Sequence, residues 1–516
     1  MPKNLDHCSR RNFLKSGALL GTTVLSGLSF AEGSASELPN PHWQKLPKWR
    51  GFNLLEKFNV GSNKPFLEDD FRNIHDLGFN FVRLPMDYRC WIEKGNWRSF
   101  KEKTLQEIDQ AVEYGEKYGI HVCMNFHRAP GWTVANPKEA LSLWKDPEAQ
   151  EVCALHWKTF AKRYRDIPNS RLSFNLLNEP ASVEVDPYLE AMKIVIGAIR
   201  SESPDRLIIC DGLQYGRVPV EQLKDLQIAQ ATRGYTPFEL SHYRASWASG
   251  SDQFPYPQWP SATGNGKLFA PSKKGITEEA KKPITINGSF SKKAKLRIRV
   301  GTVSSRSQLC VYADDQEVFQ HDFRPSEGKG EWSKAVFKSE WKCWQNIYDR
   351  DYFVDIPEGT TKIELRNLKG DWMSISEIGI QSEGSSEAIF RLVDQWNEPQ
   401  NPYLWDEKNN SISGGKIKNR KWLMENFVQP WIDFEKSGAG GVIVGEFGSY
   451  NKTPHAVVLR WMEDMLQNWQ TAGWGWAMWN FRGSIGVANS LREDVDYEDW
   501  RGLKLDRKMM DLLQRY

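Results

Sequence analysis

A strong charge of either sign is missing from this 516-residue chain, whose formal net charge is only +2. The first 31 residues hold Lys3, Arg10, Arg11 and Lys15 against Asp6, a local +3, so the remainder carries −1. A near-neutral body has no electrostatic footprint for nucleic acid or an anionic membrane, and it fits a neutral polymer better. Cysteine is also scarce. The seven residues form no C-x-x-C pair and no zinc spacing, which excludes the common structural zinc motifs. Cys123 and Cys210 stand inside apolar runs and read as buried free thiols; Cys310 and Cys343 are open to pairing, which the sequence leaves undecided. There is no EF-hand loop, no H-E-x-x-H spacing and no phosphate loop, so no metal and no cofactor is implied. After the N-terminal segment no hydrophobic run of membrane-spanning length follows. What the chain does have is 40% hydrophobic residues, enough for a sizeable core and too many for global disorder. It also has 23 tryptophans, whose flat apolar faces and single polar edge suit sugar rings, although many of them belong in a core.

The start reads Ser9-Arg10-Arg11-Asn12-Phe13-Leu14-Lys15, followed by an uncharged stretch from Ser16 to Ala31. This resembles a twin-arginine export signal. The stretch is short and rich in Gly, Ser and Thr for a membrane span. Residues 1–35 are therefore expected to be a signal peptide and linker. The mature chain is expected in the periplasm or outside the cell, as a monomer with no stable membrane insertion.

Apolar, β-branched runs then alternate with helical patterns, the signature of a parallel α/β fold. The expected strands are 49–54, 79–86, 121–127, 172–177, 206–212, 238–243, 441–448 and 474–481. Between the second and third, apolar positions from Leu105 to Tyr118 keep helical spacing and Gly119 offers a stop. Eight such strands suit a (β/α)8 TIM barrel with its working face at the strand C-terminal ends. From Ser261 to Ser385 the helical period gives way to short alternating runs, which reads as an inserted antiparallel β-sandwich between strands six and seven. Its segment from Gly359 to Trp372 resembles the last strands of a carbohydrate-binding-module jelly roll. The expected domains are thus 36–260 and 386–516 for the barrel and 261–385 for the sandwich, which leaves from the catalytic face.

Two carboxylates close apolar strands: Glu179 after Ser173–Asn178, and Glu446 after Gly441–Gly445. A charge in that position is costly unless paired or used. One such Glu reads most simply as a rim ion pair. Two, on separate strands, match the needs of glycoside hydrolysis, with one carboxyl protonating the leaving oxygen and one attacking the anomeric carbon.

Asn178-Glu179-Pro180 and Glu446 resemble family 5 of the glycoside hydrolases, whose catalytic pair ends strands four and seven. So do Arg83 in Phe81–Pro85, His127 in His127–Trp132 and Trp479 in Trp476–Phe481. The resemblance spans about 49–516 without the sandwich. It implies a retaining enzyme, cellulase-like or mannanase-like, acting on β-linked polysaccharide or oligosaccharide with Glu179 as acid/base and Glu446 as nucleophile. Arg83 would hold the nucleophile ionised, and Asn178 would bond the sugar 2-hydroxyl. His127 and His242 would bond sugar hydroxyls or Glu446. Trp479 would floor the subsite of the attacked sugar, and Trp132 would stack on a neighbouring one. The family usually shows His-x-Tyr at the end of strand six, whereas the expected strand six ends His242-Tyr243-Arg244. Tyr243 on a bulge, Arg244 or Tyr450 could fill the tyrosine's place. An exo-acting β-glycosidase on another sugar and a non-catalytic carbohydrate-binding surface protein remain the alternatives.

Overall fold

The computed structural model describes residues 38–516. The twin-arginine pattern and the expected leader, residues 1–35, lie outside the described residues. Eight parallel strands form the barrel: β1 (Arg50–Asn53), β2 (Phe81–Asp87), β3 (His121–Ala129), β4 (Leu172–Asn175), β5 (Ile208–Asp211), β6 (Ala229–Gly234), β7 (Val442–Phe447) and β8 (Gly475–Met478). Each pairs with its successor, and β8 pairs with β1 to close the ring. Apart from Arg50, every residue of these strands is buried, as expected where helices cover one face and the barrel interior the other. The expected helix after β2 runs Glu102–Lys117 and buries Leu105, Ile108, Ala111 and Val112 on one side. Gly119 follows at φ 64°, the left-handed conformation that ends a helix most easily on glycine. Trp49, Trp91, Trp157, Trp431, Trp461 and Trp476 are fully buried, so much of the tryptophan is core. Truncating any one of them to alanine would cost about 3–5 kcal/mol.

Strand six is not where the sequence places it. Residues 238–243 are not a strand: Phe238–Ser241 is a single helical turn whose N-cap is Pro237, and His242 caps its C-terminal end. The sixth strand is Ala229–Gly234, nine residues earlier, paired with β5 and β7. Its sequence, Ala-Gln-Ala-Thr-Arg-Gly, lacks the β-branched and aromatic run that marked the others. Tertiary context satisfies its polar groups instead. The buried Gln230 amide, for instance, accepts from Val220 N–H and donates to Val220 C=O at 3.0 and 2.8 Å.

The sandwich does lie between β6 and β7. One sheet contains Cys343–Ile356, Ala294–Ser304, Trp372–Ser382 and Ala388–Val393; the other contains Gln316–Phe323, Ser307–Ala313, Lys362–Gly370 and Ile284–Asn287. Leu296, Ile298, Met373 and Ile378 from the first pack against Leu309, Val311, Ile363 and Leu365 from the second. The strands do not stop at Ser385. Ala388–Val393, Tyr403–Asp406, Ser411–Gly414 and Lys416–Lys418 belong to the same two sheets. The pairing is antiparallel except at two short contacts, Gly264 with Leu392 and Ile286 with Tyr403. Cys310 and Cys343 sit on different sheets and are both free thiols.

Both junctions of the insertion are fastened to the barrel helix His455–Ala472. Trp259 Nε1 donates to Asp464 at 2.9 Å on entry, and Arg420 Nε donates to Asn468 at 3.1 Å on exit. Lys418 also reaches Glu239, in the turn just past β6, at 2.6 Å. Among the described residues no helix is long and apolar enough to cross a membrane.

Candidate active site

The C-terminal ends of β2, β4, β5, β6 and β7 converge on one buried cluster of charge. Glu446 is on β7, and an irregularity in the pairing shapes its setting. Val444 is level with Thr232 and Glu446 with Arg233, so Gly445 is an extra residue, a bulge. A Cβ at Gly445 would stand 2.7 Å from Arg233 Nη1, so the guanidinium would have to shift. Glycine here therefore leaves room for the neighbouring guanidinium.

Arg83, on β2 and 1% exposed, reaches across the barrel floor. Its Nη1 donates to Glu446 Oε1 at 2.6 Å and to Asn53 Oδ1 at 3.0 Å; Nε donates to Asn175 and Nη2 to Asn178 Oδ1. A guanidinium so fully partnered gives Glu446 a charge-assisted bond in a dry site. The other oxygen of Glu446 accepts from the Tyr235 hydroxyl at 3.2 Å. Burial first, and Glu446 second, push the Tyr235 hydroxyl well above its ordinary range, so it stays a donor.

Glu179 follows β4 in the left-handed conformation, φ 50°, which a non-glycine residue adopts at a cost. Asp211, at the end of β5, holds it there by accepting the Glu179 N–H at 2.8 Å. The Glu179 carboxyl accepts from Arg233 Nε at 3.2 Å. Burial first, then the negative charge of Glu446, push the Glu179 carboxyl up to about 8. It is therefore an acid at neutral pH while Glu446 is held by two cations.

Arg233 joins the two. The same guanidinium lies 3.2 Å from Glu179, 3.4 Å from Glu446 and in direct contact with Asp211. Burial alone would lower its pKa; Asp211, Glu446 and Glu179 outweigh burial and keep it charged.

The remaining expected residues are only partly where they were placed. Asn178 commits its oxygen to Arg83 and Arg233, at 3.0 and 2.9 Å, which leaves its amide N–H groups as the donors. One of them faces His127 Nε2 at 3.4 Å. His127 does not touch Glu446; burial, followed by Arg83, depresses its pKa and keeps the ring neutral. Its ring and that of Phe58 flank the half-buried Trp479, with centroids 5.3 and 5.4 Å away. Trp132 donates its indole N–H to the Asn178 carbonyl at 2.8 Å and so braces the strand end that carries Glu179. His242 makes no bond to Glu446. It lies flat on Phe238 and edge-on to Tyr235, with Nδ1 on the Ser241 hydroxyl. None of Tyr243, Arg244 and Tyr450 takes the tyrosine's place, because Tyr235 occupies it.

A sequence profile described as cellulase (glycosyl hydrolase family 5) matches residues 40–246. The first part of the barrel is thus similar to the family 5 glycosyl hydrolases. Endoglucanase C of Acetivibrio thermocellus is 29% identical over 214 residues, 39% of this chain and 61% of that protein. Cellodextrinase A of Ruminococcus flavefaciens is 30% identical over 190 residues, 35% of this chain and 54% of that protein. The matched stretch is thus under two thirds of either relative's length. A crystal structure of a glycoside hydrolase shares the fold with TM-score 0.59 at 24% identity, covering 91% of this chain and 99% of that one. With β6 at Ala229–Gly234, the family's His-x-Tyr pattern falls on Arg233-Gly234-Tyr235, so this barrel carries arginine where the pattern has histidine. Arg233, Asp211 and Tyr235 are the residues that sequence reasoning missed. Asp211 had a signal: it closes the apolar run Ile208-Ile209-Cys210 just as the two glutamates close theirs. Arg233 and Tyr235 were hidden by the strand-six displacement.

Proposed function

We propose that the chain is a retaining β-glycoside hydrolase of β-linked polysaccharide or oligosaccharide, with Glu179 as acid/base and Glu446 as nucleophile. The observation that supports this is the shared guanidinium: Arg233 contacts both carboxyls, which fits the close pairing that retention needs. Glu446 Oε1 is saturated by Arg83, with Arg233 behind it, and Oε2 has only the Tyr235 hydroxyl. Lone pairs on Oε2 are therefore free to attack the anomeric carbon. As that bond forms, the glycosidic C–O bond breaks and its oxygen takes the Glu179 proton. In the second step water gives a proton to Glu179 and its oxygen attacks the same carbon. The ester bond then breaks and returns its electron pair to Glu446.

The Asn178 amide N–H is the donor for the sugar 2-hydroxyl, and Trp479 the apolar floor. The matched endoglucanase and cellodextrinase support a β-glucan substrate. Proton NMR of the first-formed product on a panel of β-linked oligosaccharides tests the mechanism: the product should keep the β-anomer, and an α-product excludes Glu446 as nucleophile. The Ser9–Lys15 pattern supports export by the twin-arginine route, in which case changing Arg10 and Arg11 to lysine should hold the protein in the cytoplasm.

A further inference from the structure

Arg233 is unusual in having three carboxylates around one buried guanidinium. Its side chain is 2% exposed, in contact with Asp211, 3.2 Å from Glu179 Oε1 and 3.4 Å from Glu446 Oε1. Nη2 also donates to Asn178 Oδ1 at 2.9 Å. The backbone is shaped around it at two places. A Cβ at Gly445 would meet Nη1 at 2.7 Å, and one at Gly216 would meet Cγ at 2.8 Å. Asp211 is itself anchored, accepting the Glu179 N–H at 2.8 Å and Asn175 Nδ2 at 2.9 Å. The guanidinium is therefore fixed, and what varies through the reaction is the charge of its neighbours.

The balance of charge gives its role. In the free site Arg83 and Arg233 are matched by Asp211 and Glu446, and the site is neutral only with Glu179 protonated. Once Glu446 becomes an ester it loses its charge, and one positive charge is left without a partner. Arg233 is the cation that also touches Glu179. We propose that Arg233 is a positioning residue that changes partner during turnover, compensating Glu446 before attack and the Glu179 carboxylate after it. This rests on the retaining reading given above. Arg233 thereby keeps Glu179 deprotonated and available as the base for the incoming water, so its main effect falls on breakdown of the glycosyl-enzyme. Its bond to Oε1 of Glu179 also directs the proton of the resting acid to Oε2, the oxygen left free for the leaving group.

The test separates the two steps. With an activated 2,4-dinitrophenyl β-glycoside the leaving group needs no proton, so kcat/KM reports attack by Glu446 and kcat reports release from the ester. In Arg233→Gln, kcat should fall about ten- to a hundredfold, the loss of one charge-assisted bond, with a much smaller change in kcat/KM. KM should fall with kcat, and a burst of dinitrophenol should appear as the ester accumulates. Arg233→Lys, which keeps the charge, should recover a large part of kcat. Equal losses in kcat and kcat/KM without a burst would mean a merely structural role and overturn the proposal, as would unchanged kinetics. Thermal unfolding of each variant accompanies the assay. If Arg233→Gln does not fold, Arg233→Met takes its place with the same outcomes: a burst with a loss of kcat supports the proposal, and parent-like kinetics overturn it. Glu446→Ala is the control for the underlying reading. If it still turns over, the retaining mechanism fails; if it is dead while Arg233→Gln shows no split, only the present inference fails.

Discussion

At the mouth of the barrel, Arg83, Asp211, Arg233 and Glu446 are all buried and in contact through one connected network. The sandwich has a network of similar size, Arg297 with Asp351, Glu377 and Glu387, but it lies on the outer face of a sheet with each side chain partly open to water. Between its sheets the sandwich is apolar. The same residue types at the same distances have different consequences. In water an ion pair is screened and worth little, whereas in a dry site each charge sets the protonation of the next. Glu179 is moved to about 8 in the barrel. Of these two networks, only the buried one has its charges close enough and dry enough to set a carboxyl's protonation.

The sharpest way to break that contrast is Glu446→Ala. It should lower turnover by about 10⁴-fold or more, as deletion of a nucleophile does, measured on a β-linked oligosaccharide. Activity that survives would place the chemistry elsewhere. Glu179→Ala comes next, with an expected loss of about 10²–10⁴ on unactivated substrates, the range of general acid catalysis. The loss on activated aryl glycosides should be much smaller, and equal losses would argue against an acid role. The pH profile is a gentler probe. In the proposed mechanism Glu179 is the proton donor, and its carboxyl is raised to about 8. Activity on unactivated substrates should thus hold through neutral pH and decline as pH rises through about 8, where the acid loses its proton. A limb that falls near pH 5 instead would show that burial and Glu446 do not raise it. The smallest effect belongs to the sandwich: Arg297→Ala should change stability by about 1 kcal/mol or less and leave kcat/KM unchanged, read by thermal unfolding and assay. A large loss of activity there would erase the distinction between the two networks.

Seven of the eight barrel strands were legible because each is an apolar run of the right length, and the register of their ends carried Glu179 and Glu446 with it. The sixth was not. Ala229–Gly234 has no β-branched or aromatic run to identify it, and Phe238–Tyr243, which has one, is a turn started by Pro237. One misplaced strand moved the whole expected contribution of that strand, from Arg233 and Tyr235 to His242 and Tyr243. The core strands of the sandwich were visible from their alternation. Its end was not, because Ala388–Val393 and Tyr403–Asp406 are short and separated by polar turns and resemble the return to the barrel.

By itself the sequence determined the alternating α/β order, the position of the insertion and the two carboxylates at strand ends. These depend on local periodicity and on the cost of a charge closing an apolar run, which neighbours in the chain reveal. Only the tertiary structure decided which cations meet those carboxylates. Arg83 comes from β2 and Arg233 from β6, far apart in sequence, and Arg83 finds Glu446 on β7. Closure of the barrel also excludes water, and without that exclusion the Glu179 carboxyl would not be raised by burial.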